Sequence, residues 1–176
     1  MKVAPATLAG LFTLELERNV DDRGWFVRVF DEEVLAAAGL VTAFPQHSEA
    51  RNAHRHLIRG LHFQAEPHAE TKIIRCTRGA VYDVLVDVRP GSPTYGSWQA
   101  FELSEDRPRA LYVPGGFAHG YQTLTAISDL QYHISERYVA AAARGFAYNS
   151  PELAIPWPAP AVHLSERDRT LPPFVR

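Results

Sequence analysis

The stretch Val81-Tyr82-Asp83-Val84-Leu85-Val86-Asp87-Val88, closed by Arg89-Pro90-Gly91-Ser92-Pro93, carries the pattern that decides the fold class. Apolar and polar residues alternate along it with a period of two, the signature of a strand, and the Pro, Gly and Ser cluster ends it with turn chemistry. Working outward, strands are predicted over 71–77, 96–103, 110–113 and 129–135. Short strands separated by turn residues at this spacing predict a sandwich or barrel. One short helix is predicted over 31–38: Asp31 can cap it, Glu32 and Glu33 suit its positive end, and Gly39 can terminate it. From Pro151 onward the chain carries six of its thirteen prolines, so this part reads as a tail wrapping across the body rather than as central strands. That tail still carries charge at Glu166, Arg167 and Asp168.

The 176 residues suit one domain, expected to span 1–176. Hydrophobic residues make up 46% and charged residues 22%, which supports a folded core and excludes a disordered chain. Eighteen Lys and Arg against twenty Asp and Glu leave a net charge of −2, so no basic excess exists to hold a nucleic-acid backbone or an anionic membrane. The lone Cys76 cannot form an internal disulfide or a thiolate metal cluster, which points to a reducing cytoplasm. Pro5, Glu15 and Glu17 interrupt the N-terminal stretch before a signal-like apolar run develops, and no run approaches the ~18 apolar residues of a membrane span. A soluble cytoplasmic protein is expected.

Pro114-Gly115-Gly116-Phe117-Ala118-His119 has the form P-x-G-x-x-H, which resembles the second motif of the cupin superfamily of β-jelly rolls. In metal-binding cupins the first motif supplies H-x-H, a Glu, and a Gly seven residues after that Glu. Here His62 is followed two residues later by Gln64, and Lys72 stands seven before Gly79. A protonated lysine has no lone pair to donate, so no metal is expected. A metal-dependent cupin would instead have to use His62, Glu70 and His119. A histidine, a neighbouring cation and a tyrosine such as Tyr132 suit proton abstraction next to a carbonyl: a base takes the proton, a cation stabilises the oxyanion, and an acid returns a proton.

The chain also resembles, from 21 to 172, the dTDP-4-dehydrorhamnose 3,5-epimerase family of cupin-fold nucleotide-sugar epimerases. The matching stretches include Asp22-Arg23-Gly24-Trp25-Phe26, Ile58-Arg59-Gly60-Leu61-His62-Phe63-Gln64, Lys72-Ile73-Ile74-Arg75-Cys76, residues 113–120, Tyr132, Tyr138 and Leu164-Ser165-Glu166-Arg167-Asp168. The resemblance implies an all-β, cupin-type jelly roll (a double-stranded β-helix) with short helices and a Pro-rich C-terminal tail. It implies cofactor-free epimerisation at C3, C5 or both of a nucleotide-linked, dTDP-type 4-keto-6-deoxyhexose. In that scheme His62 is the base, Asp168 orients it, Lys72 stabilises the C4 enolate and Tyr132 is the acid. Arg23, Arg59 and His119 hold the diphosphate or sugar, and Gln46 and Tyr138 line the site. Arg28 stands where the family commonly has a glutamate that receives the nucleotide base. A homodimer formed through the N-terminal strand is implied as well. The alternatives from other classes are the metal-dependent cupin and a non-catalytic barrel that binds sugar nucleotides.

Overall fold

A computed structural model describes residues 1–176. In chain order the strands are β1 (Lys2–Pro5), β2 (Phe12–Glu15), β3 (Arg18–Asp21), β4 (Gly24–Val27), β5 (Gln46–Asn52), β6 (Ile58–Gln64), β7 (Lys72–Arg78), β8 (Ala80–Asp87), β9 (Trp98–Ser104), β10 (Arg109–Val113), β11 (Phe117–Thr123), β12 (Ser128–Ile134) and β13 (Ala143–Gly145). Helix α1 (Glu32–Ala37) and the single turn α2 (Glu166–Arg169) are the α-helical elements. Two antiparallel sheets face each other, with orders β1-β2-β10-β7-β12-β5 and β13-β6-β11-β8-β9, and β3-β4 forms a separate hairpin. From β5 to β8, and again from β9 to β13, each strand lies in the opposite sheet from the one before it. The fold is all-β with a jelly-roll-like strand arrangement.

The five strands predicted by alternation are present within one or two residues at each end. Strands β1–β6, β11 and β13 were not predicted, and their composition explains why. Every residue of β11 is buried, so it has no polar face to alternate with, whereas β5 at a sheet edge is nearly all polar. Helix α1 starts as expected, with Asp31 Oδ1 accepting from the Val34 amide at 3.3 Å. It ends at Gly39, whose φ of +70° is a conformation that costs glycine little.

Three layers of apolar packing hold the body together. Between the sheets, Ile74, Leu111 and Leu130 meet Val81, Leu85, Phe117 and Tyr121. Outside the six-stranded sheet, α1 contributes Leu35 to a cluster with Leu14, Ile73 and Tyr112. Outside the five-stranded sheet, the tail lays Leu153 and Phe174 over Leu61, Val84, Val86 and Ala118, with Ile155 and Trp157 beside them. Each fully buried side chain of this kind contributes about 1.5–3 kcal/mol. The tail is also tied down by polar contacts: Trp98 Nε1 donates to the Leu153 carbonyl at 2.7 Å and Gln122 Nε2 to the Ala159 carbonyl at 2.8 Å. A parallel bridge joins Leu57 to His163. The wrapping tail expected from its prolines is therefore present, and it explains why β8 is buried on both faces. The polar members of the β8 alternation, Asp83 and Asp87, are themselves fully buried rather than turned to solvent. No helix is long and apolar enough to cross a membrane.

Candidate active site

A cleft of about 640 Å³ is walled by both sheets. The six-stranded sheet contributes Gln46, His47 and Ser48 from β5, Lys72 from β7 and Tyr132 from β12. The five-stranded sheet contributes Arg59 and His62 from β6, and His119 and Tyr121 from β11. A second cleft of about 500 Å³ shares Arg59 and His62 and is walled on the far side by His54, His163, Ser165, Arg167 and Asp168.

His62 and His119 are register partners across β6 and β11. Two glycines let these strands approach closely. A Cβ on Gly60, whose φ is +117°, would lie 2.5 Å from the Gly120 Cα, and one on Gly120 would lie 2.8 Å from the Arg59 carbonyl oxygen. Any side chain at either position would push the two histidine-bearing strands apart.

Each histidine is held by a carboxylate. His62 Nε2 donates to Asp168 Oδ1 at 2.5 Å, with the imidazole side chain 34% exposed and the carboxylate 3%. Asp168 reaches this position because Ser165 caps α2, its hydroxyl accepting from the Asp168 amide at 3.1 Å. Burial alone would raise the Asp168 carboxyl, but hydrogen bonds from His62, Ser165 and the Gly60 amide outweigh it and hold the group below the usual aspartate range. His119 Nε2 donates to Asp83 Oδ2 at 2.8 Å, both side chains being almost completely buried.

On the opposite wall, Lys72 is buried and its ammonium pairs with Glu70 at 2.8 Å, leaving further N–H donors for a ligand oxygen. Glu70 is held in turn by Gln64 Nε2 at 3.1 Å. Burial pushes the Tyr132 hydroxyl well above the ordinary tyrosine range, so it stays protonated. Gln46 Oε1 accepts from the Tyr138 amide at 2.9 Å, which brings the largely exposed Tyr138 ring to the cleft rim.

Of the residues singled out from sequence, His62, Lys72, Tyr132, Arg59, His119, Gln46 and Tyr138 line one cleft, and Asp168 stands behind His62. Arg23 and Arg28 lie outside both clefts. Arg23, 85% exposed at the β3-β4 turn, pairs with Asp21, and Arg28 pairs with Asp31 at 3.2 Å. Sequence inspection did not single out Tyr121, Asn52 or Asp83. Tyr121 follows His119 by two positions, the strand spacing that returns a side chain to the same face, and this signal could have found it. No three His, Cys, Asp or Glu side chains converge as a metal-ligand set, so His62, Glu70 and His119 do not form one.

Residues 5–175 match the family model for dTDP-4-dehydrorhamnose 3,5-epimerase. A dTDP-4-dehydrorhamnose 3,5-epimerase of Sinorhizobium fredii is 45% identical over 157 residues, covering 86% of this chain and 78% of the relative. The crystal structure of the Bacillus anthracis dTDP-4-dehydrorhamnose 3,5-epimerase, with TDP and PPi bound, superposes with a TM-score of 0.95 at 42% identity over 98% of this chain and 99% of that one. A 4-keto-6-deoxy sugar epimerase from the novobiocin gene cluster of Streptomyces spheroides superposes with a TM-score of 0.94 at 34% identity, covering 98% and 87%. With a histidine, a lysine and a tyrosine gathered in one cleft and similarity along almost the whole length, this chain belongs to the dTDP-4-dehydrorhamnose 3,5-epimerase family and is an epimerase of nucleotide-linked 4-keto-6-deoxyhexoses.

Proposed function

We propose that this chain inverts C3 and C5 of a dTDP-linked 4-keto-6-deoxyhexose by moving protons across the cleft. His62, oriented by Asp168, removes the proton from the carbon next to the C4 carbonyl. Lys72 stabilises the enolate oxygen that results, and Tyr132 delivers a proton to the other face of the carbon. Arg59 and His119 hold the diphosphate or sugar, with Gln46 and Tyr138 at the rim. The steps need no cofactor, because only protons move between carbon, imidazole and phenol.

The observation that carries this is the placement of His62 on one sheet and of Lys72 and Tyr132 on the facing sheet, all lining one cleft. Inversion requires base and acid on opposite sides of the reacting carbon, and two facing walls supply them. A cation near the developing oxyanion is worth more in a partly buried site than in water.

One domain, a double-stranded β-helix over 1–176, would contain this site. Its edge strand β1 would join a second copy of the chain in a homodimer. The exposed Val20, Trp25 and Phe26 of the β3-β4 hairpin support burial against such a copy, and a hairpin seated there would carry Arg23 and Arg28 toward the partner's cleft. The unpaired, buried Cys76 suits a cytoplasmic setting.

The test is incubation with a dTDP-4-keto-6-deoxyhexose in D₂O. Deuterium at C3 and C5 of an inverted product is expected; exchange at one carbon alone would restrict the reaction to that centre and overturn the double inversion, and exchange at neither would sink the proposal.

A further inference from the structure

Glu70 is the one carboxylate among the side chains that line the cleft, and a site for a nucleoside diphosphate sugar gains no binding from a negative charge of its own. Its surroundings show what it holds. Glu70 Oε1 lies 2.8 Å from Lys72 Nζ, with the lysine side chain 11% exposed and the carboxylate 12%. The other oxygen, Oε2, accepts from Gln64 Nε2 at 3.1 Å. Gln64 is itself fixed and almost fully buried: Nε2 also meets the His68 and Arg137 carbonyls at 3.1 and 3.2 Å, and Oε1 accepts from the Val139 amide at 2.6 Å. The carboxylate therefore has a rigid support behind it and one ammonium in front. Arg59, the other permanent cation of the cleft, is tied in the same manner. Its Nε donates to Asn52 Oδ1 at 2.8 Å, an oxygen that also accepts from the Tyr121 hydroxyl at 3.1 Å.

A lysine ammonium rides on a flexible stem and can turn toward any anion within reach. The proposed reaction offers it two. The C4 oxygen carries charge only while the enolate exists, whereas the diphosphate of the substrate is charged throughout. An ammonium drawn to the diphosphate would bind substrate and transition state alike and leave the enolate oxygen without its cation. Held from one side by Glu70, Nζ keeps its remaining N–H donors for a ligand oxygen and needs no reorganisation when charge develops there.

We infer that Glu70 is a positioning residue: seated on Gln64, it tethers Lys72 for the C4 oxygen and keeps it from the diphosphate. The tether is the acceptor oxygen rather than the charge. An amide in its place keeps an oxygen for Nζ, and Gln64 keeps the His68 and Arg137 carbonyls for its two hydrogens. This inference rests on Lys72 being the cation that meets the C4 oxygen.

Glu70→Leu and Glu70→Gln, assayed with dTDP-4-keto-6-deoxyglucose, test it. Rates are expressed per dTDP-binding site counted by calorimetry, so unfolded protein drops out. In Glu70→Leu, inversion is expected to fall about 10- to 100-fold, the scale of a misplaced catalytic group. In the same variant dTDP should bind unchanged or up to about tenfold tighter, because the cleft loses its own negative charge and Lys72 is released. Glu70→Gln should stay within about threefold of the wild-type rate, since the acceptor remains. In a Lys72→Met background Glu70→Leu should cost less than about threefold more, because the group it positions is gone. A fall of less than tenfold in Glu70→Leu, weaker dTDP binding, a loss beyond threefold in Glu70→Gln, or an equal fall in the Lys72→Met background would each overturn the inference. If Glu70→Leu yields no binding site to count, Glu70→Ala is read by the same criteria. Inversion at the wild-type rate in Lys72→Met alone would remove Lys72 as the enolate's cation, whatever the Glu70 variants do.

Discussion

Two imidazole–carboxylate pairs stand side by side on neighbouring strands, and they differ in where the carboxylate comes from. Asp83, which holds His119, lies on β8, the adjacent strand of the same sheet, so the pair is part of the sheet and almost completely buried in the cleft wall. Asp168, which holds His62, arrives from a helical turn 106 residues away in the tail, and its imidazole remains open to both clefts. A proton can therefore enter and leave His62 while His119 is held rigid. In the proposed mechanism the same side-chain chemistry serves as a base in one setting and as a fixed hydrogen-bonding group in the other.

The sharpest way to break this contrast is to remove each imidazole in turn. His62→Asn should lower kcat by roughly 10²- to 10⁴-fold, the usual contribution of a general base, with nucleotide affinity by calorimetry changed little. His119→Asn should act mainly on KM, and a reversed pattern between the two variants would exchange their roles.

The carboxylates give the next largest difference. Asp168→Asn should lower kcat by roughly 10²-fold, because the imidazole loses its orienting acceptor, while the urea midpoint moves modestly. Asp83→Asn should instead cost about 1–3 kcal/mol of stability, read from urea unfolding, since it disturbs a hydrogen bond with no solvent to replace it. Equal kinetic effects from both substitutions would erase the distinction.

Acid titration sharpens the comparison further. The folded Asp168 carboxyl lies below its unfolded value, so its contribution to stability is complete above about pH 4 and is lost as pH falls through the folded value. Asp87 behaves in the same direction. Burial would raise it, but bonds from Arg89, Ser92 and Thr94 outweigh burial and hold it at about 2. Urea midpoints should fall between about pH 4 and 2, and Asp87→Asn should flatten that fall, corresponding to about 2 kcal/mol. An unchanged slope would show that the carboxylate is not held as its hydrogen bonds indicate.

The smallest expected effect concerns the hairpin. Arg23→Ala should leave the melting temperature unchanged, because the exposed pair with Asp21 is solvated, yet it should raise KM for the nucleotide sugar if the hairpin meets a partner's cleft. An unchanged KM would keep Arg23 out of the site.

Much of the site could be read from residue order because strands and turns leave local signatures. His62 and His119 flank glycines, and Lys72 occupies a motif position that elsewhere carries a metal ligand. Asp83 was harder to read. It appeared as the polar half of an alternation, yet it shares the inter-sheet face of β8 with Val81 and Leu85, where the facing sheet closes over it. Asn52 and Tyr121 gave no local sign of their connection, since a hydrogen bond between β5 and β11 depends on the distance between two sheets.

The residue order alone determined the all-β class, the capped helix at Asp31 and the proline-rich wrapping segment, since these depend on side-chain period and turn chemistry, and its matching stretches carried the resemblance to the family. The resemblance implied that Asp168 orients His62; only the tertiary structure decided that this pair opens onto two clefts, that Lys72 shares its charge with Glu70, and that Arg23 and Arg28 stand away from the cleft of their own chain. Those outcomes depend on which distant surfaces pack together, and burial of apolar area between sheets and tail settles that collectively rather than residue by residue.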